Sequence, residues 1–279
     1  MKITTLENVD TGSLAETFNL SFSDYLVPFK ITKEQLERKI KTESIDLRFS
    51  AGAFEDDRLI GFILHGIDHI HGNKVAYNAG TGVIPDERGN KITSKLMEYI
   101  IPKLKEQNVT KLKLEVITGN QVAINTYERA GFKITRDYNC YKGQLKTHSG
   151  SRFEIRPLLS DDWQLFSSFW DGEPAWQNSV TAMKNAKELH IAIGIFSADQ
   201  LIGYLIYNPD NHRIHQFAVA PAYRRQGAAK QLFEYISSGE KKEFSVINID
   251  KNLHRIHAFL LTVGYELTIK QYEMELNIS

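Results

Sequence analysis

The chain has a single cysteine, Cys140, among 279 residues. No intrachain disulfide is available, and such a chain suits a reducing compartment. Its 34 basic residues are balanced by 34 acidic ones, so there is no overall field to hold nucleic acid or an anionic membrane. Apolar runs such as residues 59–64 and 191–196 have the length of single strands, far below the roughly 20 residues of a spanning helix. The first ten residues lack the apolar centre of a secretory signal, and no tract is of low complexity. These absences set the expectation of a cytoplasmic protein with neither a nucleic-acid nor a membrane partner.

What the chain does have is a repeat. Val83-Ile-Pro-Asp-Glu-Arg88-Gly89-Asn90-Lys91-Ile92-Thr93, running on to Ile100, returns 136 positions later as Val219-Ala-Pro-Ala-Tyr-Arg224-Arg225-Gln226-Gly227-Ala228-Ala229, running on to Ile236. In each copy an apolar strand end meets a Pro, then an Arg-led turn, then a helix with Leu and Ile four apart on one face. The likeness extends outward, which short chance motifs seldom do. Arg58-Leu-Ile-Gly61 matches Gln200-Leu-Ile-Gly203, and residues 114–120 with Tyr127 and Gly131-Phe132 match residues 246–252 with Phe259 and Gly264-Tyr265. The second copy carries one extra residue before its Gly.

The first copy reads as strand 2–6, helical stretches from Ser13 and over 33–41, and a hairpin over 48–64 turning at Asp56-Asp57. Strand 75–84, helix 90–105, strand 111–117, helix 121–129 and an antiparallel closing strand follow. Mixed order of this kind predicts an α+β (mixed α/β) fold of two domains, each a mixed, mostly antiparallel sheet flanked by helices. The polar stretch 143–151 marks the border, giving domains 1–145 and 151–279, the second shorter.

A helix start after such a turn offers unpaired backbone N–H groups and the positive end of the helix dipole to an anion, and a pyrophosphate fits there. The form Arg224-x-x-Gly227-x-Ala229, between a strand and a helix, resembles the acetyl-CoA loop of the GNAT acetyltransferase superfamily, and the resemblance covers both halves. It implies cofactor contacts at Val219, Arg224, Arg225, Gln226, Gly227, Ala228 and Ala229. In the first copy it implies Val83, Arg88, Gly89, Asn90, Lys91, Ile92 and Thr93, although Lys91 and Thr93 depart from the family's Gly and Gly/Ala. Gly227 is expected to admit the backbone to a phosphate without a Cβ in the way. Arg224 and Arg225 are expected to add charge.

The resemblance also implies that Asn120 contacts the pantetheine arm and that Tyr127 protonates the departing CoA thiolate. Phe259, aligned with it, has no proton to give. The copy with the better loop thus lacks the acid, and the first domain is favoured as catalytic because a chemistry-bearing side chain is harder to replace than backbone contacts. For the base that frees the amine, Glu115 and His215 are comparable candidates, although Lys111, Lys113 and Glu115 alternate as a solvent face does. His65, Asp68, His69 and His71 are expected to form a polar loop, with no metal site. Cys140 is expected to be a small packed residue, and Ser21, Ser23 and Tyr25 to be exposed polar positions.

Together these expectations describe an acetyl-CoA-dependent N-acetyltransferase acting on a small-molecule or peptide amine by direct attack. The alternatives are a non-catalytic acyl-CoA-binding module and a tandem enzyme using another acyl or aminoacyl donor.

Overall fold

The computed structural model describes residues 1–27, 30–145, 152–237 and 242–279. In chain order the elements are β1 (Lys2–Thr5), α1 (Thr11–Ser21), α2 (Lys33–Thr42), β2 (Ala51–Glu55), β3 (Arg58–Ile70), β4 (Asn73–Val83), α3 (Ile92–Glu106), β5 (Val109–Ile117), α4 (Gln121–Arg129) and β6 (Lys133–Gly143). They continue as β7 (Glu154–Pro157), α5 (Trp163–Ser168), α6 (Val180–Asn185), β8 (Ile191–Ser197), β9 (Gln200–Asn208), β10 (Arg213–Val219), α7 (Ala228–Ser237), β11 (Phe244–Asp250), α8 (His254–Thr262) and β12 (Tyr265–Asn277). The fold is mixed α/β, and the chain forms two compact units.

The first unit comprises Met1–Arg136 and Tyr272–Ser279, the second Asp137–Gln271. The expected border at 143–151 falls partly outside the described residues, since 146–151 are not among them. The compact units divide elsewhere, within β6 and within β12, because the chain exchanges its closing strands. In the first unit the sheet order is β1-β2-β3-β4-β5, then the end of β12, then the start of β6. The second unit runs β7-β8-β9-β10-β11, then the end of β6, then the start of β12. From β1 to β5 and from β7 to β11 neighbours are antiparallel except one central pair, β4·β5 or β10·β11.

Local sequence explains the elements. Asp56 and Asp57 both take positive φ (45° and 64°) in the two-residue turn between β2 and β3, which matches the twist of paired strands. His71 and Gly72 do the same between β3 and β4 (50° and 78°). The expected polar loop at 65–71 is therefore mostly strand, with β3 paired to β4 as far as Ile70↔Asn73. α2 starts in a capping box of Thr32 and Gln35. α3 buries Ile92, Leu96, Ile100 and Leu104, spaced by four, against the first core with Leu112, Leu114, Val116 and Met274. α7 buries Ala228, Leu232 and Phe233 against Ile193, Leu205, Val246 and Tyr265 of the second.

The opposite face of β5 is not the solvent face that its alternation suggested. Lys111 and Lys113 pair with Glu275 at 2.7 and 2.8 Å, and Glu273, 4% exposed, receives Arg136 at 2.6 Å. The C-terminal strand supplies the anions, so charges that look solvated in the sequence form a half-buried ladder within the first unit. Glu115 on the same face accepts a hydrogen bond from the Tyr77 hydroxyl at 3.0 Å.

Candidate functional site

The two loops have the same backbone although their glycines differ in place. After Val83 and after Val219 comes one 3-10 turn, Pro85–Glu87 or Pro221–Tyr223. Arg88 (φ −67°, ψ 156°) and Arg224 (φ −69°, ψ 156°) then extend the chain. The next residue is left-handed in both copies, Gly89 at φ 85° and Arg225 at 59°. So is the residue just before the helix, Lys91 at 56° and Gly227 at 91°. Each copy spends its glycine on one of the two positions and carries a long basic residue at the other, at roughly 1–2 kcal/mol for the left-handed conformation.

The first bonds within α3 and α7 run from Lys95 to Lys91 and from Gln231 to Gly227, so the N–H groups of residues 92–94 and 228–230 precede the helical ladder. α1, α2 and α4 are closed by Asp10, Thr32 and Asn120 side chains, whereas Lys91 makes no capping bond and Gly227 has no side chain to make one. Ile92 and Ala228 point into the cores, 3% and 2% exposed, so backbone is what they present to the loop. Asn90 donates to Glu87 at 3.4 Å, and Gln226 to the Ala222 carbonyl at 3.0 Å. Thr93 and Ala229 are half-buried, and Arg225 and Lys91 are exposed.

The leading arginines are struts. Arg88 donates through Nε to the Val83 carbonyl, through Nη1 to Asp24 at 2.6 Å and through Nη2 to the Ser21 carbonyl at 2.9 Å. Arg224 repeats this with the Val219 carbonyl (2.9 Å), Asp171 (2.7 Å) and the Phe169 carbonyl (2.8 Å). The charge expected of Arg224 is thus spent within the protein, tying the loop to the segment after α1 or α5. No periodicity marks this pairing, because its partners stand 64 and 53 positions away.

The parallel ladders stop early. β4 pairs with β5 as far as Asn78↔Leu114, and β10 with β11 as far as Ile214↔Val246, though all four strands continue. At the same point β4 slips against β3 around Ala79, and β10 against β9 around His215, each a bulge. In the second unit a cavity of about 520 Å³ occupies this opening. Its lining includes Arg225, Gly227 and Ala228 of the loop, His215–Val219 of β10, Val246 and Asn248 of β11, and Trp170 beyond α5.

In the first unit the Tyr127 hydroxyl reaches the ladder's end. Burial pushes its pKa up, and hydrogen bonding with the Thr81 and Asn78 side chains of β4 opposes that. Its ring stands edge-on to Phe132 at 5.7 Å, and Tyr25 is close enough to act on it electrostatically. Asn120 is the N-cap of α4, its side chain accepting from the Ala123 N–H at 3.1 Å. The helices also revise the alignment of the copies. Asn120 N bonds to the Ile117 carbonyl as Leu253 N bonds to that of Asp250, so Tyr127 corresponds to Leu260 rather than Phe259. The extra residue is a bulge in β11 at Asn248, φ 58°, whose N–H meets the Cys140 thiol at 3.4 Å. Cys140 is accordingly buried and packed.

Ser21 is buried and Tyr25 half-buried, both contrary to the exposed positions expected, while Ser23 is exposed. His65 lies fully inside, and burial depresses its pKa to about 4 against the pull of the Phe49 carbonyl. Among the described residues no group of three or more His, Cys, Asp or Glu converges as a metal site does. No helix among the described residues is long and apolar enough to cross a membrane.

A family model described as acetyltransferase (GNAT) family matches residues 14–132 and 154–264. N-alpha-acetyltransferase 30 of Schizosaccharomyces pombe is 30% identical over 110 residues, 39% of this chain and 72% of that protein. Among solved structures, a GCN5-related N-acetyltransferase from Sphaerobacter thermophilus superposes with a TM-score of 0.71 at 11% identity, over 99% of this chain and 95% of that one. A tandem GNAT protein from the clavulanic acid biosynthesis pathway gives 0.71 at 12% identity, over 100% and 98%. At such identities these two likenesses speak for the fold.

Proposed function

The chain belongs to the GNAT acetyltransferase family, whose members move an acyl group to an amine, and on that premise we propose that it is an acetyl-CoA-dependent N-acetyltransferase acting on a small-molecule or peptide amine in the cytoplasm. The observation that carries the reading is the Tyr127 hydroxyl beside Asn78 and Thr81, at the point where β4 and β5 part. The N–H groups at the start of α3 would hold the diphosphate, and the opening between the strands would take the pantetheine arm. Attack by the amine on the thioester carbon expels a thiolate. A phenol whose pKa is raised by burial stays protonated at neutral pH, and on this reading it supplies the proton. Orientation of donor and amine in one cleft supplies much of the rest of the acceleration.

The second unit supports a second donor site. It offers the same loop backbone, with Gly227 next to the helix, and a formed cavity reaching from that loop into the gap between β10 and β11. The surroundings differ in charge, with Asp86 and Glu87 before the first loop and Ala222 and Tyr223 before the second.

Release of free thiol from acetyl-CoA and from longer acyl-CoAs, across a panel of amines, tests the activity and the donor together. Calorimetry with CoA gives the number of sites. Tyr127→Phe is expected to lower turnover in the first unit by roughly 10- to 1,000-fold with little change in CoA affinity. An unchanged rate in the first unit removes Tyr127 from its mechanism. Binding without turnover favours a sensing module instead, and turnover only with another donor rejects acetyl-CoA.

A further inference from the structure

The second unit has Leu260 where the first has its phenol, so by that comparison it looks inert. Its cavity wall suggests otherwise. His215 is the bulged residue of β10, next to the last parallel pair Ile214↔Val246 and on the lining of the cavity. Both its ring nitrogens are buried without a hydrogen-bond partner of good geometry. A buried imidazole with no well-formed hydrogen bond is costly, by about 1–3 kcal/mol for an unmade bond, and a residue kept at that cost on a cavity wall invites a ligand partner. The corresponding bulge of the first unit, Ala79, carries no titratable group.

The surroundings fix the ring's state and direction. The His190 ring lies 4.5 Å away between centroids, with its own Nδ1 unpartnered. Burial, then the neighbouring Arg213 and His190, hold the His215 pKa well below its ordinary value, while the Gln177 carbonyl pulls the other way. The imidazole is thus neutral at pH 7 and ready to accept. Beside it Gln216 is locked, its Oε1 accepting from the Tyr204 hydroxyl at 2.7 Å and its Nε2 donating to the Asn178 carbonyl at 2.6 Å. Trp170 donates to the same Tyr204 oxygen at 2.6 Å. This network ties up Gln216, Tyr204 and the Asn178 carbonyl beside the histidine, while the imidazole itself stays free to accept. One cavity joins it to the loop at Gly227, so a donor seated at α7 and an amine beside His215 would share the gap between β10 and β11.

We infer that the second unit is a catalytic centre in its own right, in which His215 accepts the proton of the attacking amine. This rests on the acyltransferase reading above. In the step, the amine nitrogen forms a bond to the thioester carbonyl carbon, and the carbon–sulfur bond breaks with its electron pair going to sulfur. The amine proton passes to a His215 ring nitrogen, the thiolate takes its proton from water, and the imidazolium then returns its proton to solvent. Deleting the acceptor is worth about 10²–10⁴-fold in turnover.

The test uses the full chain carrying Tyr127→Phe, which lowers the first unit's share so that the turnover that remains comes mainly from the second unit. Against this background, His215→Ala is expected to lower the second unit's share of kcat about 100-fold or more, down to the floor set by the first unit, while CoA binding by calorimetry is retained. Added imidazole should restore part of the rate, because the deleted ring leaves room beside the existing cavity. His215→Gln, which keeps most of the volume, should lose rate without rescue and covers the case in which the alanine variant fails to fold. An unchanged kcat in either variant, a loss that imidazole does not relieve in a folded alanine variant, or the absence of any residual turnover in the Tyr127→Phe chain overturns the inference. A wild-type chain that releases no thiol with any amine fails earlier, and that failure belongs to the acyltransferase reading itself.

Discussion

Glu273 offers a direct measure of what the exchanged strand contributes to the first unit. Its carboxylate is 4% exposed and receives Arg136 through Nε at 2.9 Å and through Nη2 at 2.6 Å. It also takes the Thr135 hydroxyl at 3.2 Å, with Lys113 3.7 Å away. Glu273→Ala removes every one of these acceptors. Lys113 keeps Glu275 at 2.8 Å, so the group that loses its two-point carboxylate contact is the Arg136 guanidinium, itself only 22% exposed. Breaking a buried pair from one side costs about 3–5 kcal/mol, and the surviving lysine pair argues for about 3. That is a large part of the roughly 5–15 kcal/mol that holds a domain together. Urea unfolding should register it, and exchange protection of the β5 amides should fall roughly a hundredfold. Adding Arg136→Leu should recover most of the loss, because an apolar pair leaves no buried charge behind. A loss below about 1 kcal/mol, or a double variant no better than the single one, refutes the reasoning.

Two further outcomes follow from the same geometry. His65 is held neutral, with its pKa depressed to about 4 from 6.5; above pH 6.5 neither folded nor unfolded chain is protonated there. As pH falls below that, the unfolded chain takes a proton the folded one refuses, so stability drops by about 2 kcal/mol between pH 7 and 5. His65→Gln should make that slope shallower by its own share in urea titrations, since His190 and His215 are depressed too, and an identical slope would sink the assignment. Arg224→Ala should lower the melting temperature of the ligand-free protein by several degrees, since it cuts the strut to Asp171 and Phe169. Unchanged melting with lost CoA affinity would mean that the side chain serves phosphate instead.

Much of the fold was legible because it is written in short-range signals. The hairpin turn at Asp56-Asp57 and the four-residue spacing of Ile92, Leu96 and Ile100 each depend on neighbours within a few positions. The family motif also placed both loops between a strand and a helix, where they are. What escaped was long-range. The lysines of β5 looked solvated because their partners, Glu273 and Glu275, lie some 160 positions away in the last strand. The arginines of the loops looked free for phosphate for the same reason. A one-residue bulge has no compositional mark of its own, so Asn248 shifted the alignment that paired Tyr127 with Phe259 instead of Leu260.

The departure of the first loop from the family's glycine pattern carries less weight than the motif alone suggests. A loop consensus records which residues relieve strain at positions whose φ is positive, and here there are two such positions in each copy. Gly89 relieves the first and Gly227 the second, while Arg225 and Lys91 hold the complementary places with φ of 59° and 56°. These two values lie in the left-handed basin that L-residues can occupy, whereas the glycines sit farther out at 85° and 91°. Both copies therefore reach the same backbone with one glycine each. What separates them is the charge beside the loop and the groups at the strand gap, a phenol in one and an imidazole in the other. The test of the second domain therefore lies at His215 rather than at its glycines or its missing tyrosine.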